Sequence, residues 1–276
     1  MVACPTGSIR FESRSDESME PRMRDVVASF PTPVNARRLP RVFHCGFHSA
    51  KSFGATPYFV LGVPGAPNVL VDVPRYNSKL ASRIESLGGL DWILLTHMDD
   101  VADHARWAAR FPRAKRVMHS LDVRGASEWP YIDMTDVEVQ LDSETLGEDQ
   151  SWEIAPGLTA VHTPGHSRGH LCFLASGDLT GGDGVLFTGD HLAFSGRLGR
   201  LDGFARYGWN LQKQVESIQL LASLPYLWVL PGHGRRLAFE SASEREMAVR
   251  RCAEEFASDP NGQRAPGPVY LQPSPP

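Results

Sequence analysis

Four apolar segments of this chain stop abruptly at a histidine or an aspartate, and that recurrence constrains the fold more than any other feature. Residues 92–96 run into His97-Met98-Asp99-Asp100-Val101-Ala102-Asp103-His104, and residues 158–162 into Thr163-Pro164-Gly165-His166. Residues 184–188 run into Gly189-Asp190-His191, and residues 227–230 into Pro231-Gly232-His233-Gly234. Short continuous apolar runs read as strands buried on both faces, and an α/β sheet builds its site where such strands end. Imidazole and carboxylate are ligand types for Zn, Fe and Mn. His97, Asp99, Asp103, His104, His166, Asp190 and His233 together exceed what one tetrahedral ion requires, so two ions sharing a carboxylate would use the set. The neighbouring Gly and Pro residues make tight turns that aim side chains at a common point. Taken singly each residue has a structural reading, Asp103 as the cap of a following helix for example.

The rest of the chain supplies the scaffold. Strands are predicted over 58–63 and 68–73 with Pro-Gly-Ala-Pro between them, and over 116–119, 137–141, 152–154 and 170–175. Helices are predicted over 77–87, closed by Gly88-Gly89, and over 103–111, 208–223 and 243–256. A domain over 41–258 is expected between a polar tail over 1–40 and a Pro-rich, disordered tail over 259–276. Hydrophobic residues at 42% and charged residues at 22% suit a packed core. A net charge of -4 gives no global field for nucleic-acid phosphates or anionic lipid. No apolar run approaches the roughly 18 residues of a membrane span. Cys4, Cys45, Cys172 and Cys252 are scattered with no C-x-x-C pair, which suits a reducing compartment. The expectation is a soluble, intracellular chain, cytoplasmic or plastid; the N-terminal arginines and serines have a transit-peptide flavour that five acidic residues dilute.

The ordered set Thr96-His97-x-Asp99, Asp103-His104, TPGH to His166, FTGD to Asp190 and PGHG with His233 resembles the metallo-β-lactamase fold superfamily, over about residues 42–240. The resemblance implies an αββα sandwich with a dinuclear metal centre at one edge, its ions bridged by hydroxide and by Asp190. It places His97 and His166 on the first metal and Asp103, His104 and His233 on the second, with Zn usual. The family motif H-x-H-x-D-H is altered: Asp99 stands at the second His position, and two further residues precede Asp103-His104. Similar variants occur in some plant, algal and cyanobacterial members. The sequence leaves open whether Asp99 or Asp100 is a ligand. A carboxylate in place of an imidazole adds one negative charge and shifts preference toward Fe or Mn.

The resemblance is strongest to the glyoxalase-II branch and implies hydrolysis of an ester-like bond, a thioester or lactone of a small metabolite, by metal-bound hydroxide, with Asp103 orienting the nucleophile. Only 43 residues follow His233, too few for that branch's glutathione-holding helical domain. A first rival is a non-haem iron sulfur or oxygen chemistry, since His97, His166 and Asp190 alone form a two-His, one-carboxylate triad like that of persulfide dioxygenases of this fold. A second is a metal-free scaffold, disfavoured because it would bury these charges unpaired. Substrate contacts are expected from the loop after Asp190, where Arg206 and Tyr207 stand with Phe194, Arg197, Arg200, Phe204 and Trp209, pointing to a substrate with an apolar body and an anionic end. His162, His170 and His191 are candidates to orient the ligands. His44-Cys45-x-x-His48 is read as structural for want of a fourth ligand. Oligomeric state is not legible.

Overall fold

The computed structural model describes residues 25–126, 134–143, 150–204 and 207–258. Two sheets carry the fold. The first runs β1 (Thr32–Asn35), β2 (Leu39–His44), β3 (Tyr58–Val60), β4 (Val69–Val71), β5 (Trp92–Leu94), β6 (Lys115–His119) and β7 (Val139–Leu141), each strand beside the next in sequence. Pairing is antiparallel from β1 to β4 and parallel from β4 to β7. Helices α1 (Ser78–Ser86) and α2 (His104–Arg110) provide crossovers that parallel strands need, and α3 (Ser120–Ala126) follows β6 directly.

The second sheet contains β8 (Ser151–Ala155), β9 (Leu158–His162), β10 (Leu171–Ala175), β11 (Val185–Gly189), β14 (Trp228–Pro231) and β15 (Leu237–Ala238), in the order β15-β14-β11-β10-β9-β8. The short helix α4 (Gly177–Thr180) joins β10 to β11, and α5 (Leu211–Leu221) and α6 (Ala242–Ala257) follow later. Strands β12 (Leu192–Ser195) and β13 (Arg200–Gly203) form a separate hairpin.

Alternation along each strand sorts the apolar side chains into three packed layers. Tyr58, Val60, Val69, Val71, Leu94 and Val117 meet Leu171, Phe173, Val185, Phe187 and Leu230 between the two sheets. The opposite face of the first sheet, with Phe59, Leu70, Ile93 and Met118, packs on Leu80 and Ile84 of α1 and on Trp107 of α2. The opposite face of the second, with Cys172, Leu174, Leu186 and Val229, packs on Ile218 and Leu221 of α5 and on Val249, Cys252 and Phe256 of α6. The order helix, sheet, sheet, helix is the predicted αββα sandwich. Continuous apolar runs over 92–95 and 171–175 are necessary here because both faces of the central strands are covered.

The sheet starts inside the segment read as an N-terminal tail, because β1 and the first residues of β2 lie before residue 41 and pair with each other. Leu39 is fully buried between the sheets, which holds this segment in the core. Residues 1–24 and the Pro-rich segment over 259–276 lie outside the described residues. No described helix is long and apolar enough to cross a membrane.

Candidate metal centre

His97 follows β5, His166 follows β9, Asp190 follows β11 and His233 follows β14. The four strand ends meet at one edge of the sandwich. Asp190 Oδ2 lies 3.9 Å from His97 Nε2, 3.8 Å from His166 Nε2 and 3.7 Å from His233 Nε2. Asp99 Oδ2 is 3.5 Å from His166 Nε2 and 3.8 Å from His97 Nε2. Asp100 Oδ1 is 3.8 Å from His233 Nε2, and its Oδ2 is 4.0 Å from His97 Nε2. Both residues that the sequence left as alternatives therefore face the cluster.

These donors divide into two overlapping sets, His97–His166–Asp190 and Asp100–Asp190–His233, each with its ligand atoms within 4.8 Å of one another. Asp99 adds a fourth donor beside the first. Ligand bonds of 2.0–2.2 Å put the edges of a tetrahedron at about 3.4 Å, so spacings of 3.5–3.9 Å suit a shared ion after small inward movement. His97 Nε2, His166 Nε2, both oxygens of Asp100 and Oδ1 of Asp190 are buried without a hydrogen-bond partner. Orphaned polar atoms at this depth are costly unless something satisfies them, and a cation meets that demand. The residues fit divalent metal.

The electrostatics agree. Burial alone would lower the pKa of His97, but Asp100, Asp190 and Asp99 raise it to about 9. Burial opposes protonation of His233 likewise, and Asp190 and Asp100 raise it to about 10. Burial raises Asp100, whereas Asp99, on which burial acts the same way, is held low by His166 and His97. Without metal, protons supply the positive charge that three clustered carboxylates require.

Further buried groups orient the ligands. Asp72, just after β4, accepts hydrogen bonds from Thr96 N at 3.0 Å and Thr96 Oγ1 at 3.1 Å, and Thr96 Oγ1 lies 2.9 Å from His97 Nδ1. With the threonine hydroxyl donated to Asp72, His97 Nδ1–H donates to Thr96, leaving Nε2 as the ligand atom. Asp122 on α3 accepts from Met98 N at 3.1 Å, Ser167 Oγ at 2.5 Å and Gly169 N at 2.6 Å, tying the His97 loop to the His166 loop. Sequence reasoning missed both carboxylates. Asp72 had a signal, since it too ends an apolar strand; Asp122 had none.

Asp103 and His104 are corrections. Asp103 Oδ2 accepts from Tyr76 N at 2.8 Å, and His104 Nδ1 faces Arg116 Nη1 at 3.0 Å, which makes this nitrogen an acceptor. Arg116 in turn binds Glu138 and Asp136. The cause is local: Val101 is fully buried in the layer beneath the helices, Ala102 N donates to Ser52 Oγ, and Asp103 turns at φ +64°. Counted without a gap, the family's D-H pair falls on Val101 and Ala102, whose apolar side chains sit in the core, and Asp100 faces the centre instead. The proposed catalytic Asp103 is likewise outside the centre, and its side chain does not cap α2.

Other expectations resolve similarly. His44 Nε2 and His48 Nε2 are 2.9 Å apart and His48 Nδ1 donates to Gly54 O, a structural pair that belongs to neither donor set. His170 and His191 pack as tilted rings behind His97, and His162 stacks on His119. The segment after Asp190 is the β12–β13 hairpin: Phe204 is buried with its ring against His166, Arg200 pairs with Glu255, and Tyr207 is 64% exposed. Arg206 lies outside the described residues.

The family profile of the metallo-β-lactamase superfamily matches residues 58–233, more than half of the chain. The chain belongs to the metallo-β-lactamase superfamily. It is 31% identical over 138 residues to a hydroxyacylglutathione hydrolase of Aeromonas hydrophila, covering 49% of this chain and 44% of that one. It is 26% identical over 185 residues to an atrochrysone carboxyl ACP thioesterase of Aspergillus fumigatus, covering 65% and 50%. It thus spans about half the length of these curated relatives. A metallo-β-lactamase from Hirschia baltica shares the fold, with a TM-score of 0.54, 18% identity and coverage of 79% of this chain and 98% of that one.

Proposed function

We propose that the protein is a hydrolase of thioester or lactone bonds that works with two divalent ions. The observation that carries this is the shared carboxylate: Asp190 Oδ2 stands within 4 Å of His97, His166 and His233, so both donor sets meet on it. The ions, Zn by superfamily habit and Fe or Mn by the acidity of this set, supply Lewis acidity and a water of lowered pKa. His97, His166, Asp99 and Asp190 would hold one, and Asp100, His233 and Asp190 the other. Thioester cleavage breaks the C–S bond, forms C–O from water and leaves a carboxylic acid and a thiol. Asp99 replaces Asp103 as the group placed to move a proton: its side chain is one-third exposed, unlike that of Asp100, and lies against His166 on the open side. An ionised carboxylate at that position would accept a proton and exchange it with solvent. Two relatives bear names of thioester hydrolases, which supports a thioester ahead of a lactone.

A second reading has one observation in its favour. With Asp103 and His104 turned away, the second donor set has three members, and His97–His166–Asp190 is by itself the two-His, one-carboxylate combination that non-haem iron uses. Metal analysis with paired assays decides. Two ions per chain with thioester or lactone turnover is the expected result; one iron with persulfide-dependent oxygen uptake overturns the hydrolase reading.

A further inference from the structure

We propose that Arg168, laid over the Trp209 indole, is a carboxylate-binding subsite at the rim of the metal centre, and that the acyl group hydrolysed ends in a carboxylate. The inference rests on the hydrolase reading for its acyl chemistry and on separate residues for its specificity. Trp209 is 49% exposed, unusual for a residue whose backbone is so firmly placed. Its N–H donates to His166 O at 2.8 Å, and the next residue, Asn210, donates from its N–H to Gly165 O at 2.8 Å. The main chain of Trp209 is thus fixed to the loop that carries His166, while its side chain is about half exposed.

Arg168 lies in that same loop, and its backbone is pinned on both sides. Its carbonyl accepts from His162 Nε2 at 3.0 Å, and Ser167 and Gly169 both donate to Asp122. One residue, Ser167, separates it from His166, so the two Cα atoms are at most about 7 Å apart. The guanidinium carbon stands 5.3 Å from the indole centroid. Among the described residues no carboxylate pairs with this guanidinium, in contrast to Arg38, Arg110, Arg116, Arg200, Arg250 and Arg251.

An arginine stacked on an aromatic face, with its donors unspent, is prepared for a planar carboxylate. The stacking limits the freedom lost on binding, and the fork offers two parallel hydrogen bonds. With two divalent ions set against Asp99, Asp100, Asp190 and a hydroxide, the loaded centre would carry little net charge to hold an anionic end. A separate cation beside it would bind that end while the acyl carbon reaches the centre.

The test uses metal-loaded, full-length protein and two N-acetylcysteamine thioesters, succinyl and butyryl, which differ at the acyl terminus in carboxylate against methyl. The expected succinyl-to-butyryl ratio of kcat/KM is at least about tenfold, falling at least about tenfold in Arg168→Gln through KM and recovering partly in Arg168→Lys. Arg250→Gln on α6 serves as the control for loss of one surface charge and leaves the ratio in place. Calorimetric titration with the thioether analogue of the succinyl compound reads binding without turnover. Arg168-dependent binding with no hydrolysis of either ester keeps the subsite and overturns the hydrolase reading. Hydrolysis with an unchanged ratio in Arg168→Gln, or no preference for the carboxylate in either measurement, overturns the subsite.

Discussion

Two halves of one short segment meet opposite fates. Residues 97–100 deliver His97, Asp99 and Asp100 to the candidate metal centre, whereas residues 101–104 deliver Val101 to the core, Asp103 to Tyr76 N and His104 to Arg116. Both halves contain histidine and aspartate. The difference lies in backbone direction, since a turn through Asp103 at φ +64° points the second half away from the strand ends. Ligand-type residues become ligands only where the chain aims them at a common point. The same contrast divides the imidazoles: His97 and His233 are raised to about 9 and 10 by carboxylates, while burial lowers His44 and His119 to about 3 and 4.

The comparison can be broken in order of expected effect. Replacement of the shared carboxylate, Asp190→Ala, is expected to remove both ions and lower turnover about a thousandfold, roughly 4 kcal/mol. Metal content by plasma mass spectrometry checks it, and a variant retaining full metal would dissolve the idea of a shared ligand.

Acid tests the imidazoles outside the centre. His44 and His119 stay neutral in the folded chain, whereas unfolded histidine titrates near 6.5, so the unfolded state binds protons that the folded state refuses and stability rises with pH. The stability they contribute is intact above about pH 6.5 and is lost progressively as pH falls toward their folded values. Each costs about 1.4 kcal/mol at one unit below 6.5, so the pair costs about 3 kcal/mol at pH 5.5 relative to pH 7.5. Urea unfolding of His44→Gln and His119→Gln at both pH values should show that dependence shrinking.

His104→Ala removes a buried imidazole beneath Arg116 and is expected to cost about 2–3 kcal/mol in unfolding free energy. Metal content should be unaffected. If His104→Ala instead loses an ion at unchanged stability, the two halves of the segment are alike and the correction fails. The smallest effect separates neighbouring carboxylates. Asp100→Ala should weaken binding of the second equivalent of metal by at least about tenfold, the lower end of the loss caused even by outer partners of a ligand. Asp103→Ala should leave it within about twofold and cost about 1–2 kcal/mol of stability, because Tyr76 N–H loses its acceptor. Equal metal affinities for the two variants would remove the distinction.

Much of the architecture was legible in the sequence because burial on both faces leaves an unmistakable mark. The apolar runs over 92–95, 171–175 and 185–188 read as interior strands, and α1 was marked by the Gly88-Gly89 pair that closes it; the structure adds its N-cap, Asn77, whose side chain accepts from Lys79 N and Leu80 N. Strands β1, β2, β12 and β13 were not foreseen. They mix polar and apolar residues over short lengths, and their identity depends on pairing with partners that periodicity does not reveal.

For the centre, the sequence by itself determined that His97, His166, Asp190 and His233 follow interior strands, and so that they share an edge. Which carboxylates join them was decided by tertiary structure. The residue types at 99, 100 and 103 are identical, and only the packing of Val101, the hydrogen bond from Ala102 N to Ser52 and the left-handed turn at Asp103 distinguish their directions. Spacing along a chain sets the residues on offer; the path of the backbone through a packed core sets which of them meet.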